Sequence, residues 1–213
     1  MHIAPSRGNS FKSSTTSADT TGMSHISRLI AALLTAALAI AAAPPLAAER
    51  SGHEFGGHKF SLDLPAGYVL DADANPRPGL KTFGFATAVR DDGTHGMIQV
   101  SLLDFSSAAP GETVTLQKFA ATMIGGVHGR RTHWEQTESD VQVDGVRGKR
   151  YEWAGSTEIG FGRPPVNMRG VMLVGVKKNL GFSLNTQDVV AFAGTTLPLC
   201  EQALQTFTLT VRR

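Results

Sequence analysis

The sequence predicts an α+β fold, a largely antiparallel sheet with helices packed on it, and three observations carry the prediction. The stretch 168–187 reads as two β-rich runs around the polar break Lys177-Lys178-Asn179, as an antiparallel hairpin does. In its first run Val171 and Leu173 point one way while Met172, Val174 and Val176 point the other, so the strand needs cover on both faces and belongs inside a sheet, under helices. From Thr115 the period changes, with Leu116, Phe119, Ala120, Met123, Ile124 and Val127 at i, i+3, i+4, i+7, i+8 and i+11, the spacing of an amphipathic helix.

In chain order, residues 29–43 form a Leu/Ile/Ala run after Arg28, followed by Pro44-Pro45-Leu46-Ala47-Ala48. An apolar core of about 15 residues, positive on its N-terminal side and ending in small residues, reads as a secretory signal peptide and falls short of the roughly 20 residues of a spanning helix. The expected division is residues 1–22 as a disordered or misassigned start, with Met23 the alternative first residue, then 23–48 as the signal peptide and 49–213 as one α+β domain. Residues 1–48 hold three of the chain's 20 Lys and Arg and one of its 18 Asp and Glu. What remains has 17 of each sign and is formally neutral, without the electrostatic footprint of a nucleic-acid binder. Cys200 is the chain's single cysteine, so an intramolecular disulfide is excluded, and no cysteine marks the cleavage site for a lipid anchor.

After a Gly/His-rich lead-in over 51–58, Lys59 to Leu64 alternates strictly and places Phe60, Leu62 and Leu64 on one face of a strand ended by Pro65-Ala66-Gly67. Tyr68 to Leu70 extends that edge. Residues 81–90, with Phe83, Phe85, Thr87 and Val89 on one face, and 97–105, with Ile98, Val100 and Leu102, form a hairpin across the turn residues 91–96. Thr113 or Thr115 caps the first helix and Gly129 ends it. Strands over 134–143 and 146–156 flank Asp144-Gly145, a strong hairpin turn, and the second shows Tyr151 and Trp153 on one face. A Gly/Pro-rich loop over 155–165 leads into the central hairpin. Residues 188–192 suit a helical turn, and Thr195 or Thr196 then caps a second helix with Pro198 in its first turn and Leu197, Cys200, Leu204 and Phe207 on its inner face.

The opening Phe60-Ser61-Leu62-Asp63-Leu64-Pro65-Ala66-Gly67-Tyr68, the helix between hairpin pairs and the closing Leu204-Gln205-Thr206-Phe207-Thr208-Leu209 resemble the PsbP/DcrB-like α/β/α sandwich family over nearly all of residues 58–210. The resemblance implies a non-enzymatic exported or organellar protein that binds other proteins. It transfers no functional residue to this chain.

No motif for chemistry is complete. Asp71, Asp73 and Asn75 imitate the start of a calcium loop, but Pro76 stands where glycine must turn and Thr82 where a bidentate glutamate closes the shell. His53 with His58, and His128 with His133, are five apart, which separates each pair on a strand or a helix. Gly181-Phe182-Ser183-Leu184-Asn185 is one residue from a nucleophile elbow, yet Ser183 falls inside a predicted strand. Neither a metal nor a cofactor is expected. The candidate partner-binding residues are Phe161, Arg163, Arg147 and Lys149. Phe161, between two glycines and ahead of Arg163-Pro164-Pro165, is either an exposed aromatic anchor or a core side chain. Arg147 and Lys149, with Arg150 and the pair Arg130-Arg131, supply basic groups for an acidic partner or lipid head groups, or else form a solvated strand end.

The expectation is thus an exported, periplasmic or secreted accessory protein acting through contact with another envelope protein, with no stable membrane anchor after cleavage. The alternative is a periplasmic hydrolase or other enzyme with a dispersed active site. The sequence leaves the oligomeric state open.

Overall fold

The computed structural model describes residues 48–106, 114–158 and 163–212, so residues 1–47, which hold nearly all of the expected signal peptide, and the candidate Phe161 lie outside the described residues. Strand β1 (Glu49–Phe55) opens the domain where the sequence suggests only a lead-in. It pairs with β2 (His58–Leu64) across Gly56-Gly57, both at positive φ, which glycine alone adopts without steric cost. Then come β3 (Val69–Arg77), β4 (Leu80–Ala86), β5 (Met97–Asp104), helix α1 (Leu116–His128), β6 (Thr132–Val143), β7 (Val146–Thr157), β8 (Val166–Lys177), β9 (Leu180–Val189), helix α2 (Val190–Gln205) and the short β10 (Thr208–Thr210).

Seven strands make one antiparallel sheet in the order β3-β4-β5-β9-β8-β7-β6, and β1-β2-β10 make a second. The β6–β7 turn carries Asp144 at φ 48° and Gly145 at φ 73°, both left-handed, as a two-residue primed turn requires. The Asp144 carboxylate also takes the Lys177 ammonium at 2.5 Å and the Leu209 N–H at 3.0 Å, so one turn ties β8 and β10 to the hairpin tip.

The strand expected to be two-sided, β8, is buried on both faces, and so is its hairpin partner β9. Tyr151, Trp153, Met168, Met172 and Val174 face α1, whose Phe119, Ala120, Ile124 and Val127 are buried against them. Val171, Leu173, Phe182 and Leu184 join Phe60, Leu62 and Leu64 of β2 and Leu204, Phe207 and Leu209 on the opposite side. Thr115 caps α1, its side-chain oxygen accepting from the Lys118 N–H at 3.3 Å. No helix among the described residues is long and apolar enough to cross a membrane.

Two local expectations are corrected. Strand β4 ends at Ala86, so Thr87 and Val89 leave the sheet, and Val89 is 68% exposed. Helix α2 begins at Val190, directly out of β9, and Pro198 lies inside it. The buried Asp188 takes the Val189 N–H at 2.8 Å and so holds the strand-to-helix junction. Thr195 and Thr196 donate back to the Phe192 carbonyl within the helix instead of capping it.

Candidate functional site

Alternation along β7 puts Tyr151 and Trp153 under α1 and Arg150, Glu152 and Ala154 on the α2 side. Because α2 lies over β8 and β9, the β6–β7 part of that face stays open as a groove of about 430 Å3, bordered by Glu135, Arg150, Glu152, Arg169, Leu197 and Glu201. Arg150 bonds Glu152 along its own strand and Glu201 of α2 at 2.9 Å, so the groove floor is an ion-pair array in open contact with solvent.

The basic candidates of the hairpin are paired across it. Arg147 meets Asp140 at 2.8 Å, and Lys149 meets Glu138 at 2.7 Å and Asp140 at 2.9 Å. Hydrogen bonds from Arg147 and then Lys149 hold the Asp140 carboxyl below the usual carboxylate range. Arg163 instead donates to the Asp92 carbonyl at 3.3 Å, which ties the chain after β7 to the β4–β5 connection. Arg147 and Thr157 stand ten residues apart on one strand, about 30 Å at a strand's rise. The hairpin-tip cations and Arg163 therefore occupy opposite ends of the sheet and do not form one patch. The cations near the Thr157 end are Arg130 and Arg131, which border a cavity of about 370 Å3 with Ser156, Thr157 and Glu158.

The chemical motifs dissolve for concrete reasons. Ser183 is 2% exposed in the middle of β9, between Ser101 of β5 and Val174 of β8, where no turn can present its hydroxyl. Asp71 and Asp73 lie on strand β3, not in a loop, and Asp73 bonds Lys81. His53 packs among Phe60, Phe83 and Phe85, whereas His58 is buried and accepts the Arg212 N–H at 3.1 Å. His128 stacks on Trp134, and Trp134 on Trp153. Among the described residues no group of three His, Cys, Asp or Glu side chains is placed to hold a metal ion.

A polar cluster beneath the start of α2 escapes any sequence reading. The fully buried Asp188 receives both Nη groups of Arg90, at 2.8 and 2.7 Å, and Arg90 also lies over the Phe192 ring at 4.1 Å. Next to it the Cys200 thiol donates to the Tyr68 hydroxyl at 3.1 Å. Burial pushes both the Tyr68 phenol and the Cys200 thiol upward, so both stay protonated and neither is a ready nucleophile. Arg90 and Asp188 are 98 positions apart, and nothing local in either segment announces the pair.

Neither a protein-family model nor a curated protein sequence matches the chain. Solved structures do. The cyanobacterial PsbP (CyanoP) of Synechocystis sp. PCC 6803 aligns over 77% of this chain and 93% of its own, at TM-score 0.52 and 15% identity. LpqN, involved in cell envelope biogenesis of Mycobacterium tuberculosis, aligns over 76% of this chain and 91% of its own, at TM-score 0.50 and 13% identity. At such identities the likeness concerns the fold, and the layers agree with it: one helix on each side of a largely antiparallel sheet. The chain has the PsbP-like α+β fold.

Proposed function

We propose that the protein is an exported, non-enzymatic accessory or binding protein of the cell envelope, acting by contact with another protein. The observation that carries this reading is the separation of nucleophilic groups from space: Ser183, Tyr68 and Cys200 are sealed in the core, while the groove on the α2 side has the Arg150–Glu152 and Arg150–Glu201 ion pairs along it. A nucleophile needs a base and room for substrate beside it. The structural likeness to LpqN, a protein involved in cell envelope biogenesis, supports an envelope role. The contact surface we assign is the 155–165 segment with Phe161 and Arg163, while Arg147 and Lys149 at the far hairpin tip serve a separate contact.

Export is read from the N-terminus. Mass spectrometry of the protein from its native envelope fraction should find a new N-terminus at or close to Glu49, and a mature chain that keeps residues 29–43 would remove the export reading. The contact role has its own test. A photo-crosslinker in place of Arg163 should give a discrete protein adduct in the envelope fraction, while the purified protein turns over no ester, peptide or phosphate substrate. Robust turnover that disappears in Ser183→Ala would promote the hydrolase reading instead.

A further inference from the structure

Half-buried Arg131 follows α1 with its guanidinium over the Trp153 ring, 4.3 Å from the ring centre. Its Nη1 donates to the Val127 carbonyl at 2.7 Å and its Nη2 to the Gln187 side chain at 2.5 Å, but its Nε is buried without a partner. Other sheltered cations of the fold each hold a carboxylate: Arg90 has Asp188, Arg150 has Glu201 and Lys177 has Asp144. Among the described residues no carboxylate oxygen lies within 4.0 Å of Arg131, and its neighbour in sequence is another cation. Burial, then repulsion from Arg130, pushes the Arg131 pKa down to about 10. Arginines after a helix commonly bind its last carbonyls, and Arg130 does so through Gly126 at 3.1 Å. That role accounts for the Val127 contact and leaves Arg131 without an anionic partner among the described residues.

The 370 Å3 cavity beside this pair is bordered by Arg130, Arg131, Thr132, Thr157 and Glu158, two cations against one anion. The backbone is constrained there too: His133 sits at φ 49°, a left-handed conformation uncommon for a side chain with a Cβ, at the bulge that starts the β6–β7 pairing. A tetrahedral oxyanion in the cavity would neutralise two repelling guanidinium groups and gain charge-assisted hydrogen bonds, with the Thr132 and Thr157 hydroxyls as further donors. We propose that the cavity at the end of α1 binds an oxyanion of the phosphate class, whether free or carried by a lipid head group. The cavity shares residues 156–158 and Pro165 with the proposed contact segment, but a phosphate response of the purified chain needs no partner protein, so cross-linking and phosphate binding can fail separately.

Thermal unfolding of the full chain in sodium phosphate, against sodium chloride at equal ionic strength, tests it. Phosphate should raise the midpoint saturably. Arg130→Gln, at an exposed helix end where folding is undisturbed, should weaken the apparent affinity about tenfold, and Glu158→Gln should strengthen it. Sedimentation with phosphatidylglycerol vesicles, against phosphatidylcholine vesicles, separates the two sources: binding that also falls in Arg130→Gln assigns the head group, and its absence beside a phosphate response assigns the free ion. No saturable response to phosphate or vesicles, or a response unchanged in Arg130→Gln and in Arg131→Lys, would overturn the proposal.

Discussion

Asp188→Ala should lower the stability of the domain by about 3–5 kcal/mol, the range for removing one partner of a buried ion pair. For a domain of this size that is roughly a 10 °C fall in melting temperature. The carboxylate is 0% exposed and has no water to replace its partners, whereas Arg90 is 22% exposed, so solvent recovers part of the guanidinium's loss. The Val189 N–H at the head of α2 loses its acceptor in the same step. Asp140→Ala is the matching control. Its pair with Arg147 has side chains 51% and 78% exposed, where solvent screens both charges and the loss should be far smaller. Urea denaturation of both variants decides the matter: equal, small losses would show that the Arg90–Asp188 pair does not pin α2.

The second large effect is expected at Gly170 of β8. A methyl group there would enter the Trp153 ring on one side and stand 2.5 Å from the Thr186 carbonyl oxygen of the neighbouring strand. Neither can withdraw easily, because Trp153 is fixed by Trp134, by Arg131 and by its own hydrogen bond to Asn185 at 3.2 Å. Gly170→Ala should therefore cost about 3 kcal/mol, the upper part of the range for overfilling a packed core. Gly125→Ala in α1 should do the opposite, stabilising by about 0.5–1 kcal/mol, since nothing lies within 4 Å of the added carbon and alanine favours the helix. Chemical denaturation gives the energies, and tryptophan fluorescence reports whether Trp153 has moved. A neutral Gly170→Ala with unchanged fluorescence would mean that the sheet and ring relax together at little cost.

Much of the scaffold was legible because it is written in short periods. The stripe from Leu116 to Val127, the opposed faces of Val171 and Met172, and the turns at Asp144-Gly145 and Lys177-Lys178-Asn179 each depend on residues within a dozen positions of one another. Strand β1 escaped notice because a His/Gly/Glu segment with little apolar character becomes a strand only when β2 offers its edge. The start of α2 was misplaced because Thr195 and Thr196 carry the residue types of a cap, while the group that settles the junction is Asp188, held by an arginine from a distant loop.

The sequence by itself determined the class of fold, the first helix, the presence but not the bounds of the second, and most core-facing residues of the main strands, since burial periodicity is a local property of the chain. Only the tertiary structure decided the insertion of β9 between β5 and β8, the Arg90–Asp188 pair, and the isolation of Arg131 from any described carboxylate. These depend on which strand pairs with which, and that choice is set by long-range contacts whose free energy no window of neighbouring residues contains.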